Sequence, residues 1–294
     1  DAAPARRPAD GRAAARGGTS SGSADGAGRD GTATAPAEET VTVRITDAQG
    51  RLVRELRAPA RPGINRVVWD LTWEPARPVR GPGEQEDDDG RRFGPGGPPA
   101  SPGTYTATLV ARGRTLSTTF QVRGDPEVQA SPADYEARLA ASLRARDLQS
   151  RVNEMIEAAL DLRGQLDALR RALRGKPVTE RERADALAAR ATAELDSLEN
   201  ALRRPPPRMG YRQYPRISER LGFVARGIAG AQARPTAGQL EVLAQLEKET
   251  EERAAELRRV LDTTIAELNR LLAGQPKIMP GWPRAQAVSQ AGGN

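Results

Sequence analysis

The sequence predicts an α+β chain of several domains: a small antiparallel β-sandwich, then an antiparallel α-helical bundle, reached through a disordered N-terminal linker. Three observations carry this reading. Apolar residues alternate at period two between residues 41 and 122, they switch to four-three stepping from residue 131, and residues 1–39 contain no Leu, Ile, Val or aromatic side chain. With 3% aromatic and 37% hydrophobic residues in 294, long helices plus a small β module fit better than one large aromatic core.

Residues 1–39 are rich in Ala, Gly, Arg, Asp and Ser and cannot bury enough apolar surface to offset the entropy of ordering them. They are expected to form a flexible linker. The β domain is expected over 40–125. VTVRIT places Val41, Val43 and Ile45 on one face, Asp47 to Gly50 supplies a turn, and RLVREL returns as a second strand. After the Pro62-Gly63 turn, INRVVWDL reads as a third strand, with Val67, Trp69 and Leu71 in the core and Asp70 outward or capping a turn. GTYTATLVA and TLSTTFQV complete five strands, with Tyr105, Ala107 and Leu109 on one face and Leu116, Thr118, Phe120 and Val122 on another. The proline- and glycine-rich stretch 74–101 is expected to be a mobile loop. Its acidic run EQEDDDG fails the EF-hand spacing, because Gly90 at the sixth position would put Gln85 at the first. A solvated charge run is the reading left.

The helical domain is expected over 131–274. Ser131, Pro132 and Asp134 form a helix start with a capping box, and Ala141, Ala145, Leu148, Val152, Met155, Ala159, Leu162, Leu166, Leu169 and Leu173 form an unbroken coiled-coil-like seam. Thr179 and Glu182 cap a second helix with Ala184, Ala188, Ala191, Leu195, Leu198 and Leu202 inside. Pro215 opens a third, with Ile217, Leu221, Val224, Ile228 and Ala231. Thr236 and Gln239 cap a fourth, whose seam reads Leu240, Leu243, Glu247, Thr250, Ala254, Leu257, Leu261, Thr264, Leu268 and Leu271. At about 1.5 Å per residue the first and fourth helices run about 55–65 Å each and are expected side by side in opposite directions, Leu166 near Leu240 and Leu148 near Leu257. The loop from Arg203 to Tyr214 then lies at one tip. Residues 275–294 are expected to be an irregular tail.

The chain has no histidine and no cysteine, which excludes Ser-His-Asp and Cys-His catalysis, imidazole proton shuttles and cysteine metal sites. No paired-acid motif, nucleophile elbow or phosphate-binding glycine loop sits at a strand-to-helix junction, so no catalytic, cofactor-binding or metal-binding residue is assigned. A single Trp69-Asp70 pair without a repeat near 40 residues excludes a WD-repeat propeller from these residues. No apolar run is long enough to span a bilayer, and the chain, which opens on Asp1, is expected to be processed or a fragment.

The candidate contact surface is the segment 203–234, with Arg203, Arg204, Arg208, Arg212, Arg216, Arg220, Arg226 and Arg234 against the one acid Glu219, and Tyr211, Tyr214 and Phe223 interleaved. Arg203, Arg204, Arg208, Tyr211, Arg212, Tyr214 and Arg216 are its core. Guanidinium groups for phosphate and rings for stacking are nucleic-acid chemistry. An anionic polymer or a lipid headgroup is served by the same groups. Only three of the 45 basic residues are lysine, however, so the arginine bias is chain-wide and the high charge is weak support for nucleic acid.

The string DAQGRLVRELRAPARPGINRVVWDLTWEP…PASPGTYTATLVARG adds a resemblance that periodicity does not supply. It is similar to the Ig-like domain of flagellar hook-capping proteins and of other bacterial secreted proteins, through Gly50, Val53, Arg54, Leu56, Gly63, Asn65, Val67 or Val68, Trp69, Asp70, Gly103, Tyr105 and Leu109. The order fits, apart from the insertion before Gly103. With TTFQVRGDPEVQASPADY and the helices behind it, the whole looks like the C-terminal region of bacterial proteins that begin with a sortilin-like or BNR-repeat β-propeller. That resemblance covers about residues 41 to 280, its helical half resting on architecture and on Asp125-Pro126, Pro235-Thr236 and Gln239. It implies an extracytoplasmic, non-catalytic accessory region, periplasmic or secreted, whose partner is another protein or an adjacent propeller. It also implies that the chain lacks its main functional domain. The Ala-rich seams further permit self-association.

Overall fold

The computed structural model describes residues 40–80, 96–111, 113–175, 178–205, 213–272, 277–279 and 281–282. The expected linker 1–39 and the acidic run at 84–90 lie outside them. The fold is α+β, with one antiparallel sheet followed by helices.

Strands β1 (Thr40–Asp47), β2 (Leu52–Pro59), β3 (Gly103–Ala111) and β4 (Arg114–Val122) form a single sheet in the order β2-β1-β3-β4, every neighbouring pair antiparallel. The β1–β2 turn is fastened by Asp47, whose Oδ1 accepts from the Gln49 and Arg51 amides at 3.0 and 2.8 Å. Gly113, at φ +71°, supplies the left-handed residue that the tight β3–β4 turn needs.

Five strands are expected from the sequence, and the structure corrects this to four among the described residues. Ile64 to Leu71 is irregular, and no second sheet forms there. Asn65 folds the segment on itself, accepting from the Arg61 amide at 3.2 Å and donating to the Arg61 carbonyl at 2.7 Å. Asp70 then turns the chain by accepting from the Thr72 amide and hydroxyl at 3.1 and 2.6 Å. Leu71 takes φ +57° and stays exposed. Local side-chain bonds therefore compete successfully with a ladder. The core position passes to Trp73, at 4% exposure, while Trp69 is half-buried against Tyr105 and Phe120, ring centroids 5.2 and 6.0 Å away.

Of the 74–101 insertion the two stems, 74–80 and 96–101, are described, and both are held by hydrogen bonds. Trp73 and Ala100 donate to Pro98 and Leu71 carbonyls at 2.7 and 2.8 Å, and Thr72 bridges Pro99. Gly97 is required here, since a Cβ would fall 1.6 Å from the Trp73 carbonyl oxygen. The outgoing stem also lies on the first helix. The Arg77 and Arg80 amides donate to Ser150 Oγ and Glu157 Oε1 at 3.1 and 2.7 Å.

The helices are α1 (Pro132–Ala172), α2 (Val178–Leu202), α3 (Ile217–Gly230), α4 (Ala237–Val260) and α5 (Ala266–Leu271). The Ser131/Asp134 and Thr236/Gln239 capping boxes form as expected. Helix α2 starts one residue before its expected cap Thr179, whose side chain lies outside the described residues. All ten seam positions of α1 and all six of α2 are buried in one apolar core, with Ile217, Leu221, Val224 and Ile228 of α3. Burial of this continuous seam, rather than intrinsic propensity, stabilises helices of this length. In α3 the expected Ala231 is exposed, because it already stands outside the helix as its C-cap.

Leu240, Glu247, Leu261 and Leu271 of the expected fourth seam are not fully buried, and Leu246, Val260, Ile265 and Leu272 are buried instead. Between α4 and α5, Leu261–Ile265 form a π-helical turn. The departures at Leu240 and Glu247 precede that turn and follow from the 3.6-residue period of a straight α-helix, from which a strict four-three count drifts. The wider winding of the turn itself bears only on the residues after it, where Leu272 is buried in place of Leu271.

Polar pairs give the helix directions. Arg163 meets Asp196 and Glu199 while Arg170 meets Asp185, so α2 runs opposite to α1. Gln149 meets Ser218 and Arg138 meets the Ala231 carbonyl, so α3 also runs opposite to α1. Arg144 pairs with Glu247 and Arg151 with Glu251, so α4 runs parallel to α1. The expected opposite course of α1 and α4 is thus overturned. The physical reason is that α2 and α3 continue in one direction, interrupted by proline-rich backbone at 205–207 that cannot continue a helix.

The sheet rests on the first turns of α1. Ile45, Val53, Trp73, Ala100 and Tyr105 form its core, with Leu139 and Leu143 packed against them. At the far end, the expected irregular tail is fastened. Asn269 exchanges two hydrogen bonds with Ile278, at 2.7 and 2.9 Å, Gln165 does the same with Met279, at 2.8 and 2.9 Å, and Trp282 is buried.

Candidate interaction surface

The helices on either side of the expected Arg203–Tyr214 loop run in the same direction, so the described ends of that loop flank the middle of α1 and do not stand at a tip. The flanks of the loop meet α1 at Arg163 on one side and Gln149 on the other. Arg208, Tyr211 and Arg212 lie outside the described residues.

Glu219 organises what is described. One carboxylate oxygen accepts from the Arg204 amide at 3.2 Å and the other from the Arg216 amide at 2.8 Å, which draws together the two ends of the excursion and caps α3. The Arg204 guanidinium lies 3.8 Å from the same carboxylate. Arg203 donates to Glu199 at 2.8 Å, and Glu199 also receives Arg163 of α1. Arg220 grips Glu249 of α4 at 2.6 and 3.1 Å, and Arg234 binds Asp134 at 2.9 Å. Hydrogen bonds from Ser131 and then from Arg234 hold the Asp134 carboxyl down at about 2. Arg204, Arg220 and Arg234 therefore tie elements together, Arg203 pairs back onto the last turn of α2, and the charge of all four is locally compensated.

The remaining side chains are a different set. Tyr214 is 83% and Phe223 74% exposed, and Arg216 and Arg226 are exposed with no ion pair among the described residues. Arg216, Phe223 and Arg226 are spaced by seven and three residues, so they share the outward stripe of α3. Ile217, Leu221, Val224 and Ile228 occupy the inward stripe. Large rings bracketed by guanidinium groups can enter an apolar pocket and pair with acids at its rim.

Sequence reasoning passed over one other feature. A cleft of about 600 Å³ between the end of α1 and the start of α2 is lined by Asp167, Arg170, Arg171, Arg174, Arg181 and Asp185. The cluster RRALR at a helix C-terminus is the signal for it, and favourable interaction with the helix dipole accounts for the basic residues there. Among the described residues no helix is long and apolar enough to cross a membrane.

Set against protein-family models, curated proteins and solved structures, the chain matches none.

Proposed function

We propose that the chain is a non-catalytic docking module whose contact surface is the outward stripe of α3. The observation that carries this reading is the exposure of Phe223 on α3 and of Tyr214 just ahead of that helix, together with Arg216 and Arg226, which have no ion pair among the described residues, while the inner stripe of α3 is fully packed. Exposed rings on a helix with a complete core cost solubility without adding stability, which favours a role in binding. Internal pairing of Arg203, Arg204, Arg220 and Arg234 weighs for a protein partner over nucleic acid or another polyanion.

In the finer form of the proposal, the sheet with its Trp69 segment is an Ig-like module reduced by one strand, and the helices are a bundle carrying the docking stripe. The resemblance through Gly50, Gly63, Trp69, Asp70, Gly103 and Tyr105 supports its assignment to the accessory region of an exported bacterial propeller-type protein, with the propeller as partner.

The test compares capture from the source organism's exported proteins by the unaltered chain and by Tyr214→Asp/Phe223→Asp. A protein held by the first and lost with the second supports the reading. Identical capture by both contradicts it. Salt-sensitive retention of both chains on immobilised heparin, lost only in Arg216→Glu/Arg226→Glu, would favour the polyanion reading instead.

A further inference from the structure

The two edges of the sheet are treated in opposite ways. Strand β2 carries Arg54, Glu55 and Arg57, ends at Pro59, and has a register shift opposite Ile45/Thr46. Its outer side is also occupied, since the Glu74 amide donates to the Val53 carbonyl at 2.8 Å and the Glu55 amide to Glu74 Oε1 at 2.8 Å. These are the devices by which proteins block strand addition. Strand β4 has none of them. From Thr115 to Val122 it contains no charge, no proline and no bulge, and among the described residues its outer edge is unpaired.

The register decides which groups that edge offers. The tight turn closes on the pair Ala111↔Arg114, a hydrogen-bonded pair, so even-numbered residues of β4 bond to β3 and odd-numbered ones point outward. Thr115, Ser117, Thr119 and Gln121 thus hold the free amides and carbonyls. Their side chains, all uncharged and polar, lie on one face. Leu116, Thr118 and Phe120 lie on the other, and Leu116 is 66% exposed, opposite Leu109 but with nothing beyond it.

We propose that β4 pairs antiparallel with β4 of a second copy, about a two-fold axis at Thr118, to give a continuous eight-stranded sheet. The strand is self-complementary in this register. Ser117 meets Thr119 and Thr115 meets Gln121, all outward-bonding residues, so the free groups of each edge satisfy those of the other. Leu116 meets Phe120 in a close non-hydrogen-bonded pair and loses its exposure. No like charges oppose one another between Thr115 and Gln121. A seam of one nine-residue strand per copy buries on the order of 1,000 Å² in total, at the low end for specific interfaces, so the dimer is weak and concentration-dependent. This inference is independent of the α3 surface.

Sedimentation velocity on the chain from about 1 to 200 μM tests it, with three variants. The unaltered chain should pass from monomer to dimer across that range. Ser117→Lys/Thr119→Lys places like charges opposite one another twice and should weaken the dimer on the order of tenfold. Ser117→Glu/Thr119→Lys places opposite charges in the same positions and should dimerise at least as well as the unaltered chain. In Thr118→Cys the only thiol in the molecule meets its own copy at about 4.5 Å between Cα atoms, within disulfide reach, and should crosslink under mild oxidation. A chain that stays monomeric at 200 μM overturns the proposal, including the outcome in which its own residues outside 40–282 cover the edge. A dimer indifferent to both charge pairs, or a Thr118→Cys chain that does not crosslink, overturns it as well.

Discussion

Arg144 of α1 grips both carboxylate oxygens of Glu247 in α4, at 2.8 to 3.1 Å, across 103 residues of sequence. Seven residues on, Arg151 meets Glu251. Positions rise together along both helices, which makes them parallel. Exposed pairs of this kind contribute little stability, so they report the arrangement more than they cause it. In the cysteine-free background, Arg144→Cys/Glu247→Cys should be bridged within one molecule by a short bis-maleimide. Leu166→Cys/Leu240→Cys should not, because parallel helices set those positions roughly 40 Å apart. Bridging of the second pair alone would restore the antiparallel alternative.

Trp73, not Trp69, is the anchor of the sheet core. Trp73→Ala should cost about 3–5 kcal/mol, by loss of a fully buried indole. Trp69→Ala should cost about 1–3 kcal/mol, since its ring is half exposed and its Nε1 bonds only the Thr72 carbonyl at 2.8 Å. Denaturant unfolding of both chains checks the order, and an equal or reversed cost would contradict the assignment.

The start of α1 should be acid-sensitive. Asp134 is depressed to about 2 from 3.8, so its contribution is fully present above about pH 4 and is lost as pH falls toward 2. Asp134→Asn should be less stable than the unaltered chain at pH 5, and the difference should shrink steadily as pH falls from 4 through 2. A gap that persists unchanged to pH 2 would show that the charge of Asp134 is not its source.

Gln165 and Asn269 hold the tail as a strand would, each exchanging donor and acceptor with one backbone residue. Asn269→Leu should leave the Ile278 amide and carbonyl without these partners, cost about 1–3 kcal/mol, and raise proteolytic cleavage near 277–282. Unchanged cleavage there would count against the clamp.

Helix seams were legible in the sequence because burial follows a period, and α1 and α2 matched at every seam position. Strand existence was less legible. Val67, Trp69 and Leu71 alternate as a strand does, yet Asn65 and Asp70 bind nearby backbone and remove the segment from the ladder. The phase shift at the π-helical turn and the direction of α4 depend on long-range packing, which a seam count cannot register. Of the candidate site, the aromatic and arginine content was legible. Which arginines are already paired was legible only for Arg203, whose partner Glu199 stands four residues earlier, in α2; Glu249 and Asp134, the partners of Arg220 and Arg234, come from other helices.

The central claim, that the outward stripe of α3 docks a protein, is tested most directly by a photo-reactive amino acid at position 223. The control is the same group at position 190, exposed on α2 and outside the stripe. In cells of the source organism, illumination should give one adduct of defined mass from position 223 and none from position 190. No adduct from 223, or the same adducts from both positions, would contradict it.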